Sequence, residues 1–395
     1  MELLEKYVSF EWELLFGRSE GSIYKGVAMP EYKNVAILGA GNSGCAHAFK
    51  LSELGHKVSL IKTSFAMHDE NFSVLQQNGG IWAEDFTCRG KKSFQKLRQI
   101  TRDIKSGVQD ADIIMVMTQS LQHEAVAKVL GKYVDKKTRL LLVIPGNLGS
   151  VFFKREIESK NIIVGEGEST PFDARIKEPG VVSILFKNVR NKLGFLPSSL
   201  SEAGISLANN LIETYEAPRT NVVESALHNP NLVVHTIGVI MSAARIEHTK
   251  GEFWMYREGF TPAIWNLIDV LDKEKNSVIE AYGGTPSSYL DECKYRNSDD
   301  LTIDSRSVFE SYGKTGGPKG PSAINSRYLL EDVPNGLGLL SSLGAKANIP
   351  TPLSDSLILV ASYLLNRDLK QEARTLERLG LESKTQQEVI DYVSF

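Results

Sequence analysis

Residues 35–48 read VAILGAGNSGCAHA. An apolar run suited to a buried strand leads into Gly39, Gly41 and Gly44, spaced GxGxxG, and then into small residues at helical spacing. Each glycine has its own reason to stand in a strand–turn–helix that holds a dinucleotide. Gly39 permits the tight turn, Gly41 lets backbone approach a pyrophosphate, and Gly44 lets the helix close on the strand. The first helical turn, with Asn42 and Ser43, then offers free N–H groups and the positive dipole end to the phosphates. A bare GxGxxG also occurs in structural turns. Here the strand before it and a second strand after it favour dinucleotide binding.

Outward from this turn, short apolar runs alternate with helical patterns. The runs are 34–41, HKVSLIKT (56–63), ADIIMVMT (111–118), RLLLVIPG (139–146), NIIVGEG (161–167), VVSILF (181–186) and NKLGFLP (191–197). Between them, 43–55 and 120–134 have helical spacing. Continuous apolar strands separated by helices indicate a doubly wound, parallel α/β sheet covered on both faces, a Rossmann domain. From about residue 200 long helical patterns dominate, as in 203–215 and 261–283, where Thr261 caps a helix that starts with Pro262. The expected organisation is an N-terminal extension over 1–33, a dinucleotide-binding Rossmann domain over 34–199 and an all-α substrate and catalytic domain over 200–395.

The bulk numbers exclude several classes. A net charge of -3 gives no electrostatic footprint for nucleic acid or an anionic membrane. The first twenty residues are acidic and amphipathic, without the basic start and apolar run of a signal peptide. No apolar run approaches the roughly 18 residues that span a bilayer. The 3 cysteines, Cys45, Cys88 and Cys293, are far apart and support neither a disulfide framework nor a zinc site. His123 and Glu124 are adjacent and so do not share a helical face, and no metal site is expected. A cytoplasmic protein is the expectation.

An NAD-selective site usually places Asp or Glu at the end of the second strand. That end here is LIKTS, and Lys62 with Thr63 suits a 2′-phosphate better than a bare ribose; the alternative is a solvated lysine. NADP(H) is therefore favoured, with NAD(H) the other choice. Thr118 and the PGN turn at 145–147 end two further strands and are candidate walls of a nicotinamide pocket, since ligands lie outside the carboxyl ends of such strands.

The helical half carries HNPNLVVH (228–235) and SRYLLEDVPNGL (326–337). Asn229 caps a helix begun by Pro230, which puts Asn231 and His235 one turn apart on one face. As an isolated pair they would be an ordinary polar seam. Arg327 and Asp332 add a fork for a substrate carboxylate and a partner that fixes the tautomer of a proton-shuttling imidazole. His228 lies beyond the cap and reads as structural.

Over about residues 34–385 the chain resembles the octopine/nopaline (opine) dehydrogenase family, on VAILGAGNSG, ESTPFDAR (168–175), HNPNLVVH, RYLLEDVPNGL and IPTPLSDSLI (349–358). The resemblance implies a Rossmann domain and a helical domain with the active site between them. It implies His235 as general acid/base partnered by Asp332, with Asn231 and Arg327 binding substrate. The implied chemistry is a reversible, NAD(P)H-dependent reductive condensation of an α-keto acid with an amino acid. Both are small-molecule partners, and a homodimer is the candidate assembly. Glu168, Thr170 and Arg175 stand either on the pocket wall or in an ordinary tight turn around Pro171. Two features depart from the family pattern, the extension before the first strand and the glycine-rich tract at 312–326. The competing functions are a 2-keto acid reductase of the ketopantoate reductase type and a non-catalytic NADP(H)-binding module.

Overall fold

Apolar strands that bury both faces need covering on both sides, and the first half of the chain supplies it. The computed structural model describes residues 33–65, 67–157, 161–315 and 319–395. Apart from Lys33, the extension expected over 1–33 lies outside the described residues, as do residues 316–318 of the glycine-rich tract. The described strands are β1 Asn34–Leu38, β2 Lys57–Ile61, β3 Gly80–Asp85, β4 Lys91–Lys96, β5 Gln99–Thr101, β6 Ile113–Val116, β7 Leu140–Val143, β8 Ile163–Gly167, β9 Phe172–Glu178, β10 Val181–Lys187, β11 Asn191–Leu196 and β12 Tyr215–Pro218.

The larger sheet runs β12-β11-β8-β7-β6-β1-β2-β5. From β5 to β8 every pairing is parallel. The strand order reverses between β1 and β6, the switch point at which doubly wound sheets open a crevice for ligand. β11 returns antiparallel to β8, and β12 pairs parallel with β11. That last strand lies beyond the 199/200 boundary expected from the sequence.

The VVSILF run does not join the parallel sheet, a correction to its reading. As β10 it pairs antiparallel with β9 and parallel with β3, in a separate sheet ordered β4-β3-β10-β9. An apolar run reads alike in either sheet. The deciding feature is the tight reversal at Gly180, whose φ of 83 suits glycine and folds β10 back on β9. β4 and β9 carry charged residues along their lengths, which hides their strand character from an apolar-run search.

Beyond β12 the chain is helical. The longest helix, Pro262–Ala281, starts at Pro262 after Thr261 as expected, though Thr261 makes no side-chain cap bond. One core continues from the sheet into the helices, joining Val143, Leu148 and Phe153 to Leu232, Ile237, Leu271 and Leu340. A buried ionic cluster reinforces the join. Arg219 donates to Glu168 Oε2 (2.8 Å), Glu224 Oε1 (3.1 Å) and Glu292 Oε2 (2.6 Å), and Arg296 Nη1 lies 3.4 Å from Glu168 Oε1. All five side chains are buried. Glu168, an open reading in the sequence, is thus committed to this cluster.

Removing one member of such a cluster strands the others in a dry interior. Arg219→Ala is expected to lower unfolding free energy by about 3–5 kcal/mol, read from the denaturant midpoint. A loss below about 1 kcal/mol, the size of an exposed pair, would show that the cluster does not brace the join.

Candidate active site

Asn229 Oδ1 accepts from the N–H of Asn231 at 3.0 Å, so the NPN sequence starts helix Asn231–Ile240 as its chemistry suggests. One turn into that helix sits His235. Its Nδ1 lies 2.8 Å from Asp332 Oδ2, a contact across 97 residues of chain, and both residues are 4% exposed. Tyr328 stacks flat on the imidazole, with ring centroids 3.7 Å apart and planes 5° from parallel. Asp332 is carried at the end of a short helix, Arg327–Leu330, just before a π-type turn at Val333–Leu337 that contains Pro334. Widened turns of this kind often mark functional sites.

Burial governs the charge of the pair. It holds His235 well below the usual imidazole value, helped by the nearby cation Arg327. It pushes the Asp332 carboxyl up to about 7, against a pull downwards from Arg327. Each charged form is disfavoured by burial, so a hydrogen-bonded pair is favoured over a full ion pair, and the two groups are coupled. Among the described residues His235 Nε2 has no hydrogen-bond partner, and it is the nitrogen left for substrate.

A polar network fastens this pair to the switch point. Glu331, the neighbour of Asp332, accepts from the Ser120 N–H (2.7 Å) and Oγ–H (2.8 Å). Ser120 Oγ accepts in turn from Asn335 Nδ2 (2.8 Å) and Asn147 Nδ2 (3.3 Å). Asn229 Nδ2 donates to Asn147 Oδ1 at 2.6 Å, which returns the network to the helix of His235. Arg374 closes it from below, donating to the carbonyls of Gly146 (2.9 Å) and Asn147 (2.7 Å). The sequence reading missed Ser120, Glu331 and Arg374. Two signals were available: Glu331 adjoins Asp332, and Ser120 lies two residues past Thr118.

The substrate candidates are left open. Asn231 is half-buried and its side chain makes no hydrogen bond among the described residues. The Arg327 side chain is 51% exposed, with its nearest carboxylate, Glu331, 3.9 Å away. His228 is buried against the Thr285 carbonyl at 3.1 Å.

The glycine turn behaves as its spacing demands. A Cβ on Gly44 would stand 1.7 Å from the Gly39 carbonyl oxygen, and one on Gly39 would stand 2.5 Å from that of Met117. On Gly41 it would meet only His68 Cδ2, at 3.9 Å, in the space where a pyrophosphate would lie. Helix Asn42–Glu53 has no side-chain cap and no acid in its first turn. At the end of β6, buried Thr118 Oγ1 has no partner among the described residues. An open cradle, uncapped N–H groups and an orphaned hydroxyl at the switch point all fit a dinucleotide.

Asn42 and Ser43 use their side chains otherwise. Asn42 Oδ1 accepts from the Ile176 N–H (2.8 Å) and Ser43 Oγ pairs with Thr170 Oγ1 (2.9 Å), which ties the turn to the second sheet. Only their backbone groups face the cradle. Lys62 is buried, donating to the Met67 carbonyl (2.7 Å) and the Ser64 carbonyl (3.0 Å) while facing Asp69 at 2.9 Å. Arg102 meets the same Asp69 oxygen at 2.9 Å. Thr63 lies beside them at the end of β2.

Residues 218–365 match the family described as NAD/NADP octopine/nopaline dehydrogenase, alpha-helical domain, and 35–197 match ketopantoate reductase PanE/ApbA. An opine dehydrogenase of Arthrobacter sp. (strain 1C) is 30% identical over 365 residues, covering 90% of this chain and 98% of that protein. A vitopine synthase of Allorhizobium ampelinum is 24% identical over the same shares. Among solved structures, octopine dehydrogenase with NADH and L-arginine aligns with TM-score 0.71 at 17% identity, covering 91% of this chain and 98% of that one. Yersinopine dehydrogenase with NADP+ bound aligns with TM-score 0.64 at 12% identity, covering 92% and 98%.

The glycine geometry separates cradle from scaffold. Gly41→Ala is expected to weaken NAD(P)H binding ~10- to 100-fold, the worth of a charged hydrogen bond, with the thermal midpoint unchanged. Gly44→Ala is expected to lower both. Nicotinamide fluorescence titration beside thermal unfolding distinguishes them, and equal loss of stability in both variants would remove Gly41 from the cradle.

Proposed function

The chain belongs to the opine dehydrogenase family, and we propose that His235 and Asp332 are its proton-transfer pair. It is an NAD(P)-dependent oxidoreductase acting on the CH–NH group of its donors. An α-keto acid and the amino group of an amino acid condense, with loss of water, to an imine that is reduced to an N-(carboxyalkyl)amino acid; the reaction is reversible. The bound nicotinamide dinucleotide supplies the hydride, and the residues that fit it are the turn at Gly39, Gly41 and Gly44, the first N–H groups of helix Asn42–Glu53, and Thr118.

Every other step falls to side chains of this chain. His235 Nε2 delivers a proton to the reacting centre of the substrate and takes it back in the reverse direction. Asp332 accepts the Nδ1–H bond, which fixes the tautomer and stabilises the imidazolium. Arg327 holds a substrate carboxylate with its fork, and Asn231, one turn before His235, orients the neighbouring polar group. One observation carries this assignment: the 2.8 Å contact between His235 and Asp332, on elements that Glu331 seats against the switch point. The division of labour that supports this reading puts the dinucleotide on 34–199 and the proton-transfer pair, with Arg327 and Asn231, on 200–395.

Two finer readings complete the proposal. NADP(H) is the favoured cofactor, because Lys62 and Arg102 gather two positive charges around one carboxylate at the end of β2. The protein is placed in the cytoplasm, a reading supported by three unpaired cysteines.

A matrix of keto acids against amino acids, run with NADPH and NADH and followed by nicotinamide absorbance, tests the reaction. Oxidation that requires the amine supports it. Oxidation with keto acid alone points to a ketopantoate reductase type, and cofactor binding without oxidation points to a binding module. Asp332→Asn is expected to lower kcat by about 10⁴, by analogy with loss of the orienting carboxylate in a Ser-His-Asp triad, with cofactor affinity little changed. His235→Ala abolishes reduction while cofactor still binds; near-normal turnover in either variant removes that residue from the mechanism. Arg102→Ala is expected to raise KM for NADPH ~10-fold, one charge-assisted contact, and to leave KM for NADH in place. An equal effect on both would refute the phosphate reading.

A further inference from the structure

The product of this reaction carries two carboxylates, one on each side of the new C–N bond. Arg327 accounts for one. Strand β9 offers a site for the other. Along it, Phe172, Ala174 and Ile176 pack into the core, so Asp173, Arg175 and Lys177 stand on the opposite face. That face looks at the helical half, because Tyr312 Oη donates to Asp173 Oδ2 at 2.9 Å. Tyr312 also packs edge-on against Tyr256, with centroids 5.2 Å apart.

The three charged residues of this face are not equivalent. Lys177 is committed to Glu84 at 2.8 Å, and Asp173 to Tyr312. The Arg175 side chain is exposed, and Nη1 donates to the Ala174 carbonyl at 2.8 Å. Among the described residues its guanidinium has no ion-pair partner. Arg175 lies two residues from Asp173 on the same side of β9, so it shares the face that the Asp173–Tyr312 bond turns toward the helical half.

We propose that Arg175 binds the carboxylate of the amino-acid substrate while Arg327 binds that of the keto acid, so that two guanidinium forks bracket His235 from opposite walls. The assignment rests on the opine dehydrogenase reading and deepens it. Bond counting decides which fork takes which group. The keto-acid carboxylate is attached directly to the carbon being reduced, so its fork belongs beside the pair. Arg327 immediately precedes Tyr328, which lies on the His235 ring. The amino-acid carboxylate is separated from that carbon by the nitrogen and its own α-carbon. It therefore reaches outward to the facing wall, where β9 stands. Placing two anions on separate cations also relieves the repulsion they would feel on one.

The test compares an amino acid with its decarboxylated amine, at fixed keto acid and cofactor, in the full-length protein. The wild type is expected to prefer the acid. Arg175→Gln is expected to raise KM for the amino acid about 10- to 100-fold, to leave KM for the keto acid in place and to erase the preference over the amine. Arg175→Lys, which keeps the charge without the fork, recovers part of that preference. Arg327→Gln instead raises KM for the keto acid. An Arg175→Gln enzyme that still prefers the acid overturns the proposal, as does a wild type that uses acid and amine equally. A wild type with no amine-dependent turnover removes the parent reading together with this one, so the two failures are distinguishable.

Discussion

Glu331 Oε1 accepts two hydrogen bonds from Ser120, one from its N–H and one from its hydroxyl, and the position of the whole reaction centre follows from that seat. Ser120 lies just past β6, where the strand order reverses. Glu331 is covalently joined to Asp332. The two acidic residues point different ways, one to the dinucleotide half and the other to His235. A hydrogen bond of this kind contributes about 0.5–1.5 kcal/mol net, and two on one carboxyl oxygen hold two neighbouring elements in register. Asn147 and Asn229 extend the same seat to the start of the His235 helix, so both members of the pair are referenced to one point on the sheet. A nicotinamide held at that point would meet the pair in fixed geometry.

The dryness that makes this seat rigid also sets the chemistry. Burial raises the Glu331 and Asp332 carboxyls and depresses His235, all toward their neutral forms. For a structural ion pair that would be a liability. For a proton shuttle it narrows the gap between giving and taking, since neither partner is locked in its charged state. Tyr328 contributes without titrating, because its stacked ring fixes the plane in which Nε2 points.

How far the sequence could be read depended on whether a residue's chemistry was local. The GxGxxG turn, the NPN helix start and the parallel strands are decided by neighbours in the chain, and their structure follows the pattern. The His235 to Asp332 contact spans 97 residues and came from motif resemblance, because no periodicity links two helices across that distance. The small sheet escaped notice for a related reason: its β4 and β9 carry charges where an apolar run was sought. Glu168 illustrates the opposite case. Its type left a pocket role open, and its carboxylate is held by Arg219 from elsewhere in the chain, a partner that no local pattern indicates. Ser120 carries no motif at all; its importance arises only from where β6 ends.

A graded exposure runs through the site and has a consequence for specificity. His235, Asp332, Glu331 and Ser120 are buried and mutually bonded, so a change at any of them disturbs several contacts at once. Arg327 and Arg175 are exposed and Asn231 is half-buried. On the proposed assignment these are the side chains that hold substrate, and substitution there would change which amino acid or keto acid is held with little penalty to the fold. On the same assignment, substitution in the dry network would change whether the proton moves, so that selectivity and proton transfer would be separable by exposure.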